Sequence, residues 1–330
     1  MIISSRSAEQ APTAAASTSA RRVWRLHGPV CYLAVVAGTI VAGMMAFVGL
    51  LLGLDIAGLK PPPAFTNSHC IDAKLEFLRR HPALKPTHLV VGSSIAWRNI
   101  DAGAIVRDNP HVRPLNGAFC GLAVNQSAFV TRFLVDHLPG VAEVLLLLDP
   151  FDMSNCRSSK TAVFDKADVA AYLSGAPDLD YYFKYFDLLS LLANAVGPKE
   201  AFTPYGDGPL YTDGSFGLVY GAPRPFQPEC LAALTAFALD MQKRGIALTV
   251  ATMPLMSGWS RQYDPDARAR KALAGELSLA LAGTQARLWD TWSTLDVPAA
   301  DFTDAVHLRW SATGRFTRRL VAATGFGRPD

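Results

Sequence analysis

Val144-Leu145-Leu146-Leu147-Leu148-Asp149-Pro150 is an apolar run without alternation, closed by a turn signal. A strand with one wet face alternates polar and apolar residues, so an unbroken run of this length reads as a strand covered on both faces. Working outward, four more short apolar runs end at Gly, Asn, Asp or Pro: 88–91, 112–116, 246–253 and 286–289. Amphipathic stretches at 71–81, 124–137, 228–244, 266–281 and 311–323 separate or flank them. In the third of these, Leu231, Leu234, Phe237, Ala238 and Met241 recur mostly every third residue, as a helix lying on a sheet requires. Strand and helix alternating five times predicts a three-layer α/β/α domain around a five-stranded parallel, flavodoxin-like sheet. No internal repeat is present.

Residues 151–227 interrupt this alternation. They hold the aromatic run Asp180-Tyr181-Tyr182-Phe183-Lys184-Tyr185-Phe186-Asp187, read as the start of a short helix, and a stretch from 203 to 227 rich in Gly, Pro and aromatics. A connection this long in a compact domain is usually functional, so it reads as an insertion within one domain spanning 86–330.

Upstream, residues 30–54 are 25 consecutive positions without a charge, which as a helix suffices to cross a bilayer and exceeds the usual apolar core of a signal peptide. We expect an anchor over 29–56, inserted in the lipid bilayer through residues 30–54. Arg21, Arg22 and Arg25 precede it, whereas Lys60 and Pro61-Pro62-Pro63 follow. The positive-inside rule then leaves a structureless tail, 1–28, in the cytoplasm and places the linker and lead-in helix, 57–85, with everything after it, outside. In a bacterium this is a single-pass inner-membrane protein with a periplasmic or extracellular domain.

The chain has 330 residues, 50% hydrophobic and 18% charged; beyond residue 54 the charges balance at 27 basic and 27 acidic. A neutral body without a Lys/Arg cluster lacks what phosphate backbones need, so nucleic acid is not an expected partner. Cys70, Cys120, Cys156 and Cys230 allow two bridges, one or none, and their spacing does not choose among these. No Cys-x-x-Cys pair or set of His residues at metal spacing accompanies them, and neither metal nor cofactor is expected.

In an open α/β sheet ligands bind beyond the carboxyl ends of the strands. The first strand delivers Gly92-Ser93-Ser94 there, the second Asn116-Gly117-Ala118-Phe119-Cys120-Gly121, the third Asp149-Pro150-Phe151-Asp152. After the fifth comes Asp304-Ala305-Val306-His307. A serine nucleophile needs a base, and the base needs an acceptor on its other ring nitrogen. Asp-x-x-His supplies both within one turn. A second example, Asp108-Asn109-Pro110-His111, precedes the second strand and so falls at the wrong end of the sheet.

This order of blocks, over roughly residues 86–325, resembles the SGNH/GDSL hydrolase superfamily. The resemblance implies Ser94 as nucleophile, His307 as base and Asp304 as its orienting acid. It implies an oxyanion hole from Gly121 and the backbone amide of Ser94. With one anchor and an exported domain, the chain looks most like the branch that O-acylates or deacylates cell-envelope polysaccharides. That implies an esterase or O-acyltransferase acting on a glycan or acylated carbohydrate, with Trp97, Tyr182 and Tyr185 as sugar-stacking residues and a multispanning membrane acyltransferase as a partner. One departure stands out: the Gly-x-Asn-Asp block after the third strand is replaced by Asp149-Pro150-Phe151-Asp152. Asn125 or Asn155 is then expected to supply the missing donor. The alternative is a catalytically weak or inactive scaffold or glycan-binding subunit of a polysaccharide modification or export complex.

Overall fold

The computed structural model describes residues 20–327 except 213. The chain divides between Lys60 and Pro61 into two compact units. The first carries α1 (Ala20–Ile56), with Pro29 inside it. Its segment Gly28–Ile56, 29 residues, is long and apolar enough to cross a membrane; at 1.5 Å per residue it extends about 44 Å against an apolar bilayer thickness of about 30 Å. Of the tail expected to lack structure, 1–19 lie outside the described residues. Residues 20–28 are helical instead. Ala20, three Arg and Leu26 are good helix formers, and extending an existing helix is far easier than nucleating one.

The second unit runs α2 (His69–Arg80), β1 (His88–Gly92), α3 (Ser94–Asn99), α4 (Ala102–Asp108), β2 (Pro114–Asn116), α5 (Val124–His137) and β3 (Glu143–Leu148). Then come α6 (Lys166–Leu173), α7 (Asp178–Lys184) and α8 (Leu188–Val196) of the insertion. The chain closes with α9 (Pro228–Lys243), β4 (Ala247–Thr252), α10 (Ser257–Tyr263), α11 (Arg268–Leu281), β5 (Arg287–Trp289), α12 (Thr291–Thr294) and α13 (Trp310–Thr324). The strands form one parallel sheet in the order β2-β1-β3-β4-β5. All five expected strands are present.

Period two along the strands splits the core into two layers. Leu89, Val91, Val144, Leu146, Leu148, Leu248 and Val250 pack with residues of α2, α5, α9 and α11. Val90, Leu145, Leu147 and Ala251 face the other way, onto Ile95, Ala96 and Trp97 of α3 and Phe316 and Leu320 of α13. β3 is buried at every position, which is why its sequence does not alternate.

Two disulfides cross-link this unit: Cys70–Cys120 and Cys156–Cys230. The first ties the start of α2 to the turn after β2; the second ties the root of the insertion to α9. Aromatics build the insertion's own core. Phe65 lies 4.8, 5.1 and 5.3 Å, centroid to centroid, from Tyr172, Tyr181 and Tyr185. Its far end is stitched down by the buried Lys74, whose Nζ donates to Gly206 O at 2.5 Å, and by the buried Asp207, which accepts from Asn116 Nδ2 at 3.0 Å and the Ala102 amide at 3.1 Å.

Candidate active site

The strand order reverses direction between β1 and β3, and the crevice beyond that switch point is where α/β sheets hold ligands. Ser94 leaves β1 there. Gly92 ends the strand at φ +140°, and a Cβ on it would lie 2.5 Å from Leu147 O and 2.9 Å from Ala96 Cβ. Only glycine lets β1 turn this sharply into α3 while staying paired with β3. Ser93 caps the helix through its carbonyl, which accepts from the Ala96 and Trp97 amides at 3.1 and 3.2 Å. Ser94, half-buried, is the first helical residue, so its own amide has no carbonyl one turn back.

The opposing group comes from a tight loop before α13. Phe302 and Leu308 bridge antiparallel across it, and the Thr303 amide donates to His307 O at 2.8 Å. Inside the loop, Asp304 Oδ1 accepts from the amides of Val306 and His307 at 2.9 and 2.8 Å, while Asp304 Oδ2 lies 2.8 Å from His307 Nδ1. The other ring nitrogen, Nε2, lies 2.9 Å from Ser94 Oγ. Three side chains expected to act together therefore form one hydrogen-bonded chain. Burial would raise the Asp304 pKa, but the hydrogen bond and charge of His307, with the two amides, outweigh it and hold this carboxyl below its usual range. A carboxylate that stays ionised fixes the imidazole with its proton on Nδ1 and Nε2 free to accept.

Asn99 holds the two halves together. Fully buried at the end of α3, it donates from Nδ2 to Val306 O at 2.8 Å and accepts at Oδ1 from the Leu308 amide at 2.8 Å. The loop carrying His307 is thus clamped, on both sides of the histidine, to the helix that begins with Ser94. Sequence reasoning missed this residue; an Asn closing a six-residue helix was its only signal.

Behind the serine sit two buried carboxyls. Across the β1–β3 pairing Gly92 is opposite Leu147, which brings Asp149 level with Ser94. Asp149 Oδ1 accepts from the Phe151 and Asp152 amides at 2.7 and 3.0 Å. Asp152 Oδ2 accepts from Ser93 Oγ at 3.1 Å and the Asp149 amide at 3.2 Å. Burial pushes Asp149 up to about 6 against these amide bonds, and burial with the neighbouring Asp149 raises Asp152 well above the carboxylate range.

Above the histidine, Tyr220 brings its hydroxyl within 3.4 Å of His307 Nδ1. Its ring is 5.1 Å from that of Phe151, and Phe151 is 6.4 Å from Trp259, whose indole N–H donates to Gly221 O at 2.7 Å. The Phe216 amide donates to Thr303 O at 2.7 Å, docking this part of the insertion on the Asp304 loop. Burial, then the charges of Asp304, Asp149 and Asp152, push the Tyr220 phenol above its usual range.

The remaining expected residues fall as follows. Gly121 takes φ +66° in an open turn, and the Phe119 amide two residues earlier donates to Gly92 O at 3.3 Å, bringing that loop beside the end of β1. Asn125 Nδ2 donates to Thr161 Oγ1 at 3.2 Å, and Asn155 Oδ1 accepts from Ser158 Oγ, so both side chains are engaged with the insertion's root. Phe151 instead stands in the third block. Trp97, expected to stack on sugar, is fully buried with its N–H on Gly206 O at 3.1 Å. Tyr182 is buried with its hydroxyl on Pro61 O, and Tyr185 is bonded to Asp168. Those three serve packing because they are the largest apolar surfaces available to anchor the insertion. The aromatics open to the site are Phe151 and Tyr220, backed by the fully buried Trp259. The second Asp-x-x-His begins at the last residue of α4, with His111 exposed ahead of β2 at the opposite end of the strands from Ser94. Among the described residues no group of three or more His, Cys, Asp or Glu is placed to hold a metal ion.

No protein-family model and no curated protein matches the chain. Among solved structures it is similar to a protein from Streptococcus pneumonia, provisionally described as a platelet activating factor, at 10% identity and a TM-score of 0.41, over 77% of this chain and 92% of that one.

Proposed function

We propose that the protein is a serine esterase or O-acyltransferase of the SGNH type, anchored by α1 with its α/β domain outside the cytoplasm, and that it works on acylated glycans through a Ser94 acyl-enzyme. One observation carries this reading: His307 Nε2 within 2.9 Å of Ser94 Oγ while Asp304 takes Nδ1. Ser94 Oγ attacks the ester carbonyl as its proton passes to His307 Nε2. The carbonyl oxygen becomes an oxyanion, received by the amides of Ser94 and Gly121. His307 returns the proton to the leaving alcohol, and the acyl group remains on Ser94. Water or a sugar hydroxyl then gives its proton to His307 as it attacks the acyl carbonyl, and His307 passes that proton to Ser94 Oγ as the acyl–serine bond breaks, restoring the free enzyme. The rings of Phe151 and Tyr220 suit a sugar face and shed water, which favours a sugar over hydrolysis.

The test is covalent. A fluorophosphonate probe should label the full chain at Ser94, identified by peptide mass, with labelling lost in Ser94→Ala and kept in Ser93→Ala. A label that survives Ser94→Ala refutes the assignment. The third block favours one rival, a non-catalytic glycan-binding scaffold, because Phe151 replaces a hydrogen-bond donor and a missing donor typically costs about 10²–10³ in rate. No labelling of a folded chain under any condition supports that rival.

A further inference from the structure

The insertion carries an apolar face that its own core does not use. In α8, Leu191 and Ala195 are buried, one turn apart. Around the same helix Leu188, Leu189, Leu192 and Val196 are 39, 81, 43 and 82% exposed. At about 100° per residue these four fill an arc of roughly 100° next to the buried stripe. Ser190 and Asn194 hold the other side. The helix is thus apolar well beyond what the domain covers, and scattered single leucines do not produce such a stripe.

Its position names the occupant. The hydroxyl of Tyr182 in α7 is bonded to Pro61 O, and α7 joins α8 through only three residues, Tyr185 to Asp187. Pro61 follows Ile56, the last residue of the span-length helix, by five residues, a tether no longer than about 18 Å when fully extended. An anchor in the bilayer would therefore keep α8 within a short reach of the lipid headgroups. Four residues past the other end of α8, Glu200 accepts from Arg98 of α3 at 2.8 Å.

We propose that α8 is an interfacial helix that lays Leu188, Leu189, Leu192 and Val196 into the outer face of the bilayer that holds α1. Docked this way, the helix that begins with Ser94 works at a short, set distance from the membrane. That suits an acyl donor delivered from lipid or from a membrane-embedded partner. The inference rests on the anchored reading above, since a chain cut free after residue 56 would lose the tether.

The test uses the full chain with Cys31→Ser, reconstituted in liposomes of phosphatidylethanolamine and phosphatidylglycerol. An environment-sensitive NBD fluorophore is attached at Leu189→Cys, at Val196→Cys or, as a control, at Leu279→Cys on α11, where Leu279 is equally exposed. At 189 and 196 the emission should shift to the blue relative to 279. Lipids with a nitroxide high on the acyl chain should quench it at least about twofold, because an interfacial helix sits roughly 5–10 Å into the headgroup boundary. Water-like, unquenched emission at both positions overturns the proposal. So does emission that is shielded yet indifferent to the nitroxide, which marks a protein surface as the occupant. Alkaline carbonate washing separates the two levels of failure. Protein that stays in the pellet without quenching refutes the α8 contact alone, whereas protein that is released refutes the anchor, and the proposal with it.

Discussion

Asn99 offers the sharpest way to break the site without touching a reacting group. Asn99→Leu keeps most of the side-chain volume but removes both the donor to Val306 O and the acceptor from the Leu308 amide, each bond being 2.8 Å. Both partners are backbone groups in a buried loop. Leaving a buried polar group unmet costs about 1–3 kcal/mol, so the pair should cost about 2–4 kcal/mol after some relaxation. For a domain of this size that is a fall in Tm of about 4–8 °C. Reactivity should suffer separately. The 2.9 Å contact from His307 to Ser94 depends on the loop sitting where Asn99 holds it, and a displacement of about 1 Å in an active site can cost about 10²-fold. Two measurements on one sample settle the point: thermal unfolding by circular dichroism, and the second-order rate of inactivation by a fluorophosphonate well below Tm. The expected result is a lower Tm together with a rate reduced by one to two orders of magnitude. A variant that melts early but reacts at the wild-type rate refutes the claim that Asn99 positions His307. One that neither melts early nor slows refutes the hydrogen bonds themselves.

Asp304→Asn keeps the bulk and the two amide bonds to Oδ1 but cannot hold the required tautomer of His307. Ester hydrolysis should fall by about 10⁴, and a loss under about tenfold would remove Asp304 from the mechanism. Asp72 accepts from the amide and hydroxyl of Thr66, both at 3.0 Å, yet burial outweighs these bonds and pushes its pKa up to about 8. The folded chain then binds a proton at Asp72 that the unfolded chain has released. Stability should fall as pH rises from about 4 to about 8. Asp72→Asn should flatten that slope in urea titrations across this range, and an unchanged slope would show that the carboxyl stays ionised. Removing the Cys70–Cys120 bridge, which closes 50 residues, should cost about 4 kcal/mol by the chain-entropy model. Denaturant unfolding of the Cys70→Ser, Cys120→Ser double variant checks this against the reduced and oxidised wild type. Equal midpoints for the variant and the oxidised protein would show that the bridge does not stabilise the fold.

Much of this molecule was legible because its signals are local. The unbroken apolar run at Val144 to Leu148 is a consequence of two covered faces, and the near-threefold spacing from Leu231 to Met241 is a consequence of helical pitch, so strand and helix could be read from neighbours along the chain. Asp304 and His307 pair within a single turn, and that too is visible at a spacing of three. The aromatics were misleading for a physical reason: a large ring that anchors an insertion and one that greets a sugar have the same composition. Only burial told Trp97 and Tyr182 apart from Phe151 and Tyr220, which line the site.

Sequence by itself determined the parallel sheet, the span-length apolar helix, the serine at a strand end and the Asp-x-x-His turn, since each depends on contacts within a few residues. Tertiary structure alone decided that Ser94 and His307, 213 positions apart, meet at 2.9 Å, that Asn99 clamps them, and which cysteines pair. Loop-closure entropy grows only with the logarithm of separation, so spacing along the chain scarcely distinguishes one long-range partner from another. The packing of two helical layers against one sheet makes that choice.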